Sequence, residues 1–585
     1  MPKLQRILPI LRKALRSGQG PLALAAVAAA AALATTSSSD DTTVSITASA
    51  VAEGQALVVM ARADTPAATT PVVTRTMQSP FSRASTRQSA PIIDEVSPTM
   101  TDSVVAGAGS TATSDATTMT AQDTSAAPAK VELPRLYTIR VAEPSDIDAD
   151  GSRASASQAP ATAKAPTASL QPRRPQAGGA MAPGGANDTG LDDVTAAAST
   201  STVTVYTPAQ IRQAYGFAAL PATTTANKGV YQGAGQTIVI IDAYHNATTG
   251  SDLNAFSTKF GLPGCKLPAS TYKNGASASS IVTAASVSDG CVFQTVYVNA
   301  AGTATTTAPA VNSGWATEIA LDVQWAHAIA PLARIVLVEA ASSSGNDILK
   351  AMQFASQLNA QVISMSYGAS ETSQSATLDS YITGNATWVA ASGDSGTGVM
   401  WPAVSRNVLA VGGTLLTNVS PRAESAWSGS GGGLSKYVRM PTWQGAITVP
   451  GNPANTAANA SRMYRGVPDV AYDASPYSGF YVVQNGSWYS IGGTSAGAPQ
   501  WAAFVAVLNG ARTYAGKTAY TGTAAQQALY GVGANTANYR SSFLDISAGS
   551  NGSCSTCGAI AGYDLVTGLG TPHATGLVTA LTSVR

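Results

Sequence analysis

The sequence predicts an α/β domain over residues 204–585, a parallel sheet flanked by helices on both faces, preceded by a low-complexity N-terminal region. Three observations carry this. Of 37 aromatic residues only Phe81 and Tyr137 fall in the first 200 positions, so the large apolar side chains that build a core lie downstream. Short apolar runs alternate with helical stretches, as a parallel sheet with crossover helices requires. Those runs are continuously apolar rather than alternating, which suits strands buried on both faces.

The elements follow in order. Thr207-Pro-Ala-Gln opens a short helix with Pro in its first turn. Gln236–Ile241 is the first buried strand and ends in Asp242; Leu253–Phe260 and Trp315–Ile329 read as helices. Strand Arg334–Glu339, helix Asp347–Leu358, strand Gln361–Ser366, a helix near Leu378, and strands Thr387–Ala391 and Asn407–Val411 continue the alternation. In such sheets ligands bind beyond the carboxyl ends of the strands. Asp242 and Ser392-Gly-Asp394-Ser-Gly stand at such ends.

Ahead of this domain, five basic residues (Lys3, Arg6, Arg12, Lys13, Arg16) precede the apolar run Pro21–Ala34, which ends in Ala-Leu-Ala. Residues 1–34 therefore read as an export signal, its apolar run short of the roughly 20 residues that span a bilayer, with an uncleaved anchor as the alternative; the protein is expected to be secreted or extracellular. Residues 35–203 are rich in Ala, Thr, Ser and Pro and read as a spacer or pro-region without a core. Within them Val131–Val141 has strand character but stands alone. A net charge of +1 with 11% charged residues excludes a nucleic-acid surface and leaves no membrane role beyond the export signal. The four cysteines pair most simply as Cys265–Cys291 and Cys554–Cys557, structural disulfides of an exported chain.

Chemistry concentrates at Gly492-Gly-Thr-Ser495-Ala-Gly-Ala-Pro499, followed by an apolar run. This is a tight turn feeding a helix, and it sets Ser495 at a helix N-terminus, where developing negative charge is favoured. A plain Ser cap would not need the paired glycines before it or the Gly-x-Pro after it. A serine nucleophile needs a base, and the three histidines His245, His327 and His573 lie in unsuitable contexts. His327 shares a predicted helix with Glu318, but nine residues on, half a turn around the axis. Glu318 and Asp322, four apart among Ile319, Ala320, Leu321, Val323 and Trp325, share one apolar-flanked helix face. Two carboxyls in low dielectric titrate apart, so the pair can serve as base and orienter.

The order Glu318-x-x-x-Asp322, Ser392-Gly-Asp394-Ser-Gly, Gly493-Thr-Ser495-Ala-Gly-x-Pro resembles that of the sedolisins, serine-carboxyl peptidases related in fold to subtilisin. The likeness extends through Ile363-Ser-Met-Ser-Tyr-Gly, Trp401-Pro-Ala, Ala410-Val-Gly-Gly-Thr, Ser430-Gly-Gly-Gly-Leu-Ser and Gly466-Val-Pro-Asp-Val. It implies a subtilisin-like sheet and an endopeptidase with protein or peptide substrates, acting as a monomer at acidic pH. Ser495 is then the nucleophile, Glu318 the general base, Asp322 its orienting group and Asp394 the oxyanion donor. The resemblance also implies one structural Ca2+, held by the side chains of Asp545 and Asp564 and the carbonyls of Ile546, Ile560 and Gly562. Asp242 is read as a structural or cleft residue. Two other readings compete: a Ser/His/Asp protease built on Asp242, His245 or His327, and Ser495; and a non-catalytic surface protein on the same fold. The family's pro-region is a folded α/β domain, which residues 35–203 do not resemble in composition.

Overall fold

The structure is a computed structural model, and it describes residues 128–133, 137–141, 143–144 and 202–583 except 270, 271 and 283. It also gives the backbone of strands Thr43–Ala48, Val59–Asp64 and Ala161–Lys164; the first two pair antiparallel within a separate unit, 1–117. The expected export signal lies outside the described residues. All that follows concerns the second unit.

Its centre is a mostly parallel sheet. The strands are β1 (Thr237–Ala243), β2 (Val292–Val298), β3 (Arg334–Ala340), β4 (Val362–Met365), β5 (Thr387–Ala391) and β6 (Val408–Val419). They lie in the order β6-β5-β4-β1-β3-β2, each neighbour parallel to the next. The predicted strands are all present. The 378 region forms a 3-10 turn, Thr377–Tyr381, rather than an α-helix.

Strand parity sorts the core into two layers. Ile238 and Ile240 of β1 join the apolar cluster that contains Ile319 and Leu321 of helix α2 (Ser313–Ile329) and Ala498 and Trp501 of helix α4 (Thr494–Tyr514). Val239 and Ile241 point the other way, into the cluster with Ile348 and Met352 of helix α3 (Gly345–Ala355). Helix α1 (Thr249–Lys259) packs beside α2. The alternation places Asp242, next in parity after Ile240, on the α2 side of the sheet.

A second, five-stranded sheet flanks the first, in the order 137–140, 487–492, 478–484, 202–206, 161–164. The stretch expected as a lone strand is thus paired: Tyr137–Arg140 runs antiparallel to Ser487–Gly492. Both expected disulfides are formed, Cys265–Cys291 and Cys554–Cys557. Among the described residues no helix is long and apolar enough to cross a membrane.

Candidate active site

Ser495 is the second residue of α4 and is fully buried. Gly493, at φ +139, makes the turn from strand to helix, a conformation L side chains rarely adopt. Gly497 lets α4 sit close to β6, because a Cβ there would lie 2.9 Å from Val411 Cγ1. Pro499 has no N–H to give the Ser495 carbonyl four residues back. Ser366, just past β4, instead donates its hydroxyl to that oxygen at 3.4 Å. The Gly-x-Pro signature therefore fastens the start of α4 to the carboxyl end of the sheet.

Glu318 and Asp322 lie on α2 with no exposed surface. Burial holds both carboxyls well above their ordinary range, and the charge of Asp242 raises each further. The Ser495 hydroxyl opposes this at Glu318, and the Ser366 hydroxyl opposes it at Asp322. Neither contact reaches hydrogen-bond geometry, and both carboxylates remain without a partner of ordinary length. Such looseness is usual before substrate tightens a site. Asp242 is itself pushed up to about 8 by burial and by Glu339. Asp242, expected as a structural or cleft residue, thus interacts with Glu318 and Asp322 at the site. Parity along Thr237–Asp242 was the available signal for this.

Asp394 follows β5. Its Oδ1 accepts the Thr494 N–H at 2.7 Å and the Thr494 hydroxyl at 2.6 Å. Its Oδ2 is buried without a partner. Burial raises the carboxyl to about 7 against the opposing Thr494 bonds. Below that pH the carboxyl is protonated and can donate, and Thr494, which it holds, adjoins Ser495 in the chain.

The histidines are engaged elsewhere. His245 Nδ1 lies 2.7 Å from Glu339 Oε2, so its carboxylate partner is Glu339 rather than Asp242. His327 is buried 3.5 Å from both sulfurs of the Cys265–Cys291 bridge and is lowered to about 4 by burial. His573 sits against Arg422, 3.3 Å from its guanidinium, and is likewise lowered to about 4. Among the described residues no imidazole interacts with Ser495, which leaves the Ser/His/Asp arrangement without a base. The cluster of Cys265, Cys291 and His327 has metal-like spacing, but its sulfurs are spent in the disulfide.

Near the C-terminus, Asp545 and Asp564 hold one loop. Both oxygens of Asp545 accept the Gly562 N–H at 3.0 Å, and Asp564 Oδ2 accepts that of Ile560 at 3.2 Å. Asp564 Oδ1 also takes the amides of Val566 and Thr567. Among the described residues no backbone amide is bonded to the carbonyls of Ile546, Ile560 or Gly562. Two carboxylates and three carbonyls on one loop are an all-oxygen donor set, which fits a hard cation such as Ca2+.

A buried serine on a helix N-terminus thus lies near buried carboxyls at the carboxyl end of a parallel sheet, an arrangement suited to a serine peptidase. The subtilase family model matches residues 298–550, a span containing Glu318, Asp322, Asp394 and Ser495. Kumamolisin of Bacillus sp. (strain MN-32) is 37% identical over 221 residues, 33% of this chain and 39% of that protein. Sedolisin of Pseudomonas sp. (strain 101) is 34% identical over 128 residues, 20% of each chain. Tripeptidyl-peptidase sed4 of Aspergillus fumigatus is 34% identical over 201 residues, 29% of this chain and 31% of that one. The solved structure of Pseudomonas sedolisin, a serine-carboxyl proteinase complexed with pseudo-iodotyrostatin, superposes at a TM-score of 0.50 and 24% identity. That match covers 65% of this chain and 99% of the other. The chain is thus similar to the sedolisin family of serine peptidases, and its aligned stretch spans about two fifths of kumamolisin's length.

Proposed function

We propose that this protein is a secreted serine-carboxyl endopeptidase that hydrolyses protein and peptide substrates at acidic pH. The observation that carries the reading is the buried Glu318–Asp322 pair facing Ser495, in a site that no imidazole enters. Glu318 takes the Ser495 proton as the hydroxyl attacks the carbonyl carbon and later returns it to the leaving amine. Asp322, one helical turn on, orients Glu318 and shares its proton. The tetrahedral oxyanion receives hydrogen bonds from the protonated Asp394 and from a backbone N–H at the start of α4. Water then releases the acyl group by the same route in reverse.

Asp394 must be protonated for this step, which selects solution below about 7, and Glu318, held up by burial and by Asp242, must lose its proton there to act as the base. The basic N-terminus and the apolar run Pro21–Ala34 support export. The Asp545/Asp564 loop would hold one structural Ca2+ that ties the chain's end to the catalytic domain, and the chain works as a monomer.

The test is digestion of an unfolded protein between about pH 3 and pH 7. Ser495→Ala and Glu318→Gln should each lower turnover by roughly 10⁴-fold or more. A Glu318→Gln enzyme that keeps most of its activity, with an optimum above about 6.5, would refute the carboxyl base.

A further inference from the structure

Residues 549–559 form a small hairpin that carries the Cys554–Cys557 disulfide. Ser550 and Gly558 bridge antiparallel, and the N–H of Ala559 donates to the Gly549 carbonyl at 3.0 Å. The Asn551 N–H donates to the Cys557 carbonyl at 3.0 Å, and the Cys557 N–H to that of Cys554 at 3.2 Å. The ring closed across Ser555 and Thr556 therefore anchors the opposite strand, which carries Asn551. Its two sulfurs differ in setting: Cys554 is exposed, whereas Cys557 is buried.

This hairpin meets the loop that follows Asp394. The Thr397 N–H donates to the Asn551 carbonyl at 2.8 Å, and the Thr397 hydroxyl lies 2.9 Å from Cys557 Sγ, a disulfide sulfur that only accepts. Gly396 sits so close that a Cβ there would lie 2.7 Å from the Asn551 oxygen. Asn551 also donates from Nδ2 to the Ser430 carbonyl at 2.9 Å, and Gly431, the next residue, donates its N–H to the Gly393 carbonyl at 2.7 Å. The backbone of Asp394 is thus braced on both sides, at Gly393 through Gly431 and at Thr397 through Asn551. Thr494 holds only Oδ1, so the place of the unpartnered Oδ2 depends on this backbone.

We propose that the Cys554–Cys557 ring is a positioning element of the oxyanion site, acting on Asp394 through Asn551 and Thr397, and that a small dithiol opens it and so lowers turnover. A thiolate of the reagent attacks the exposed Sγ of Cys554; the S–S bond breaks, and Cys557 leaves as a thiolate that takes a proton from water. The reagent's second thiol then displaces Cys554, so the reagent ends as a disulfide and the protein has gained two electrons and two protons. Cys265–Cys291 is buried at both sulfurs, so the reaction selects the C-terminal ring. The effect on turnover rests on the serine-peptidase reading; the effect on Asp394 does not.

The test reduces the full chain with dithiothreitol at about pH 8 in excess calcium, then moves it into acid, where thiol exchange stops. Alkylation of a sample, with peptide mapping, shows which cysteines opened. On an internally quenched peptide that the untreated chain cleaves, kcat should fall roughly 10- to 100-fold while KM stays within about twofold. The alkaline limb should move to lower pH, because burial is what holds the Asp394 carboxyl at about 7, while Glu318, which feels its charge, stays on α2. Reoxidation should restore both. Thr397→Val, with the ring closed, should shift the limb the same way and less, and Thr397→Ser should leave it in place. Unchanged kcat and limb after confirmed opening overturn the proposal, as does a loss carried by KM alone. In Ser495→Ala, carboxyl NMR should show the Asp394 pKa drop on reduction, and no drop overturns the proposal. A chain that cleaves nothing yet shows that drop refutes the peptidase reading and sustains the brace.

Discussion

Glu339 of β3 stands in register beside Asp242 of β1, and His245 closes over it with Nδ1 at 2.7 Å from Oε2. A fully buried carboxyl with one ionic partner is costly to strand. His245→Ala should destabilise the fold by about 2–3 kcal/mol in denaturant titration, and Glu339→Gln by less. The Glu339 bond raises the pKa of His245, so the contribution of His245's protonation is complete below about 6.5 and is lost as pH rises through the folded value, whereas Glu339, raised by burial, gives up the ion pair again in acid. Removing the Glu339 charge should also let Asp242 ionise below about 8, which carboxyl NMR reads directly.

Asp394 makes a separate prediction. Its carboxyl is raised to about 7, so between about 4 and 7 the folded state binds more protons than the unfolded one, and stability from this group falls as pH rises. The oxyanion bond disappears over the same upper range. Asp394→Asn keeps a donor at every pH while its Oδ1 can still accept from Thr494. Its kcat/KM should therefore lose the alkaline limb that Asp394 imposes, whereas Asp394→Ala should cost about 10²–10³-fold in kcat.

Calcium should stabilise the chain through the Asp545/Asp564 loop. At about a hundredfold excess over Kd the gain is about 2.7 kcal/mol, read as a higher Tm that chelator reverses. Asp545→Asn should remove most of that response while leaving the chelated protein's Tm close to its starting value. No Tm response to calcium in the unsubstituted chain would refute the site.

Arg465 and Asp469 form a bidentate pair with no exposed surface, NH1 to Oδ1 at 2.7 Å and NH2 to Oδ2 at 2.6 Å. Asp469 also accepts the Ala410 amide and the Tyr530 hydroxyl, each at 2.7 Å. Arg465→Ala should cost about 3–5 kcal/mol, because it leaves a buried carboxylate unpaired. Chemical denaturation measures it, and a cost below about 1 kcal/mol would contradict the pairing.

The sheet was legible because its strands are short apolar runs and its helices carry their own periodicity; both are local signals. Ser495 and the Glu318/Asp322 pair were legible for the same reason, since turn chemistry and i,i+4 spacing lie within a few residues. Asp242 was half-legible: strand parity gives its face, but only packing shows that α2 brings Glu318 and Asp322 against that face. Glu339 gave no warning, because one acid at the end of an apolar strand looks like a strand terminus. The docking of Val131 and Glu132 was beyond sequence reading. Their backbone partners, Ser343 and Gly368, are more than 200 residues away, and a short run in a core-poor segment resembles any isolated strand.

The pairing of Tyr137–Arg140 with Ser487–Gly492 has a consequence for the sheet it borders. Should the N-terminal region be cut away, the strand leading into Ser495 becomes the border of its sheet, with a row of backbone donors and acceptors suddenly facing water. Borders of this kind attract any extended chain, whether a meal or a neighbouring molecule. Acidic solution, which makes the protein cationic and self-repelling, would then help keep such molecules apart.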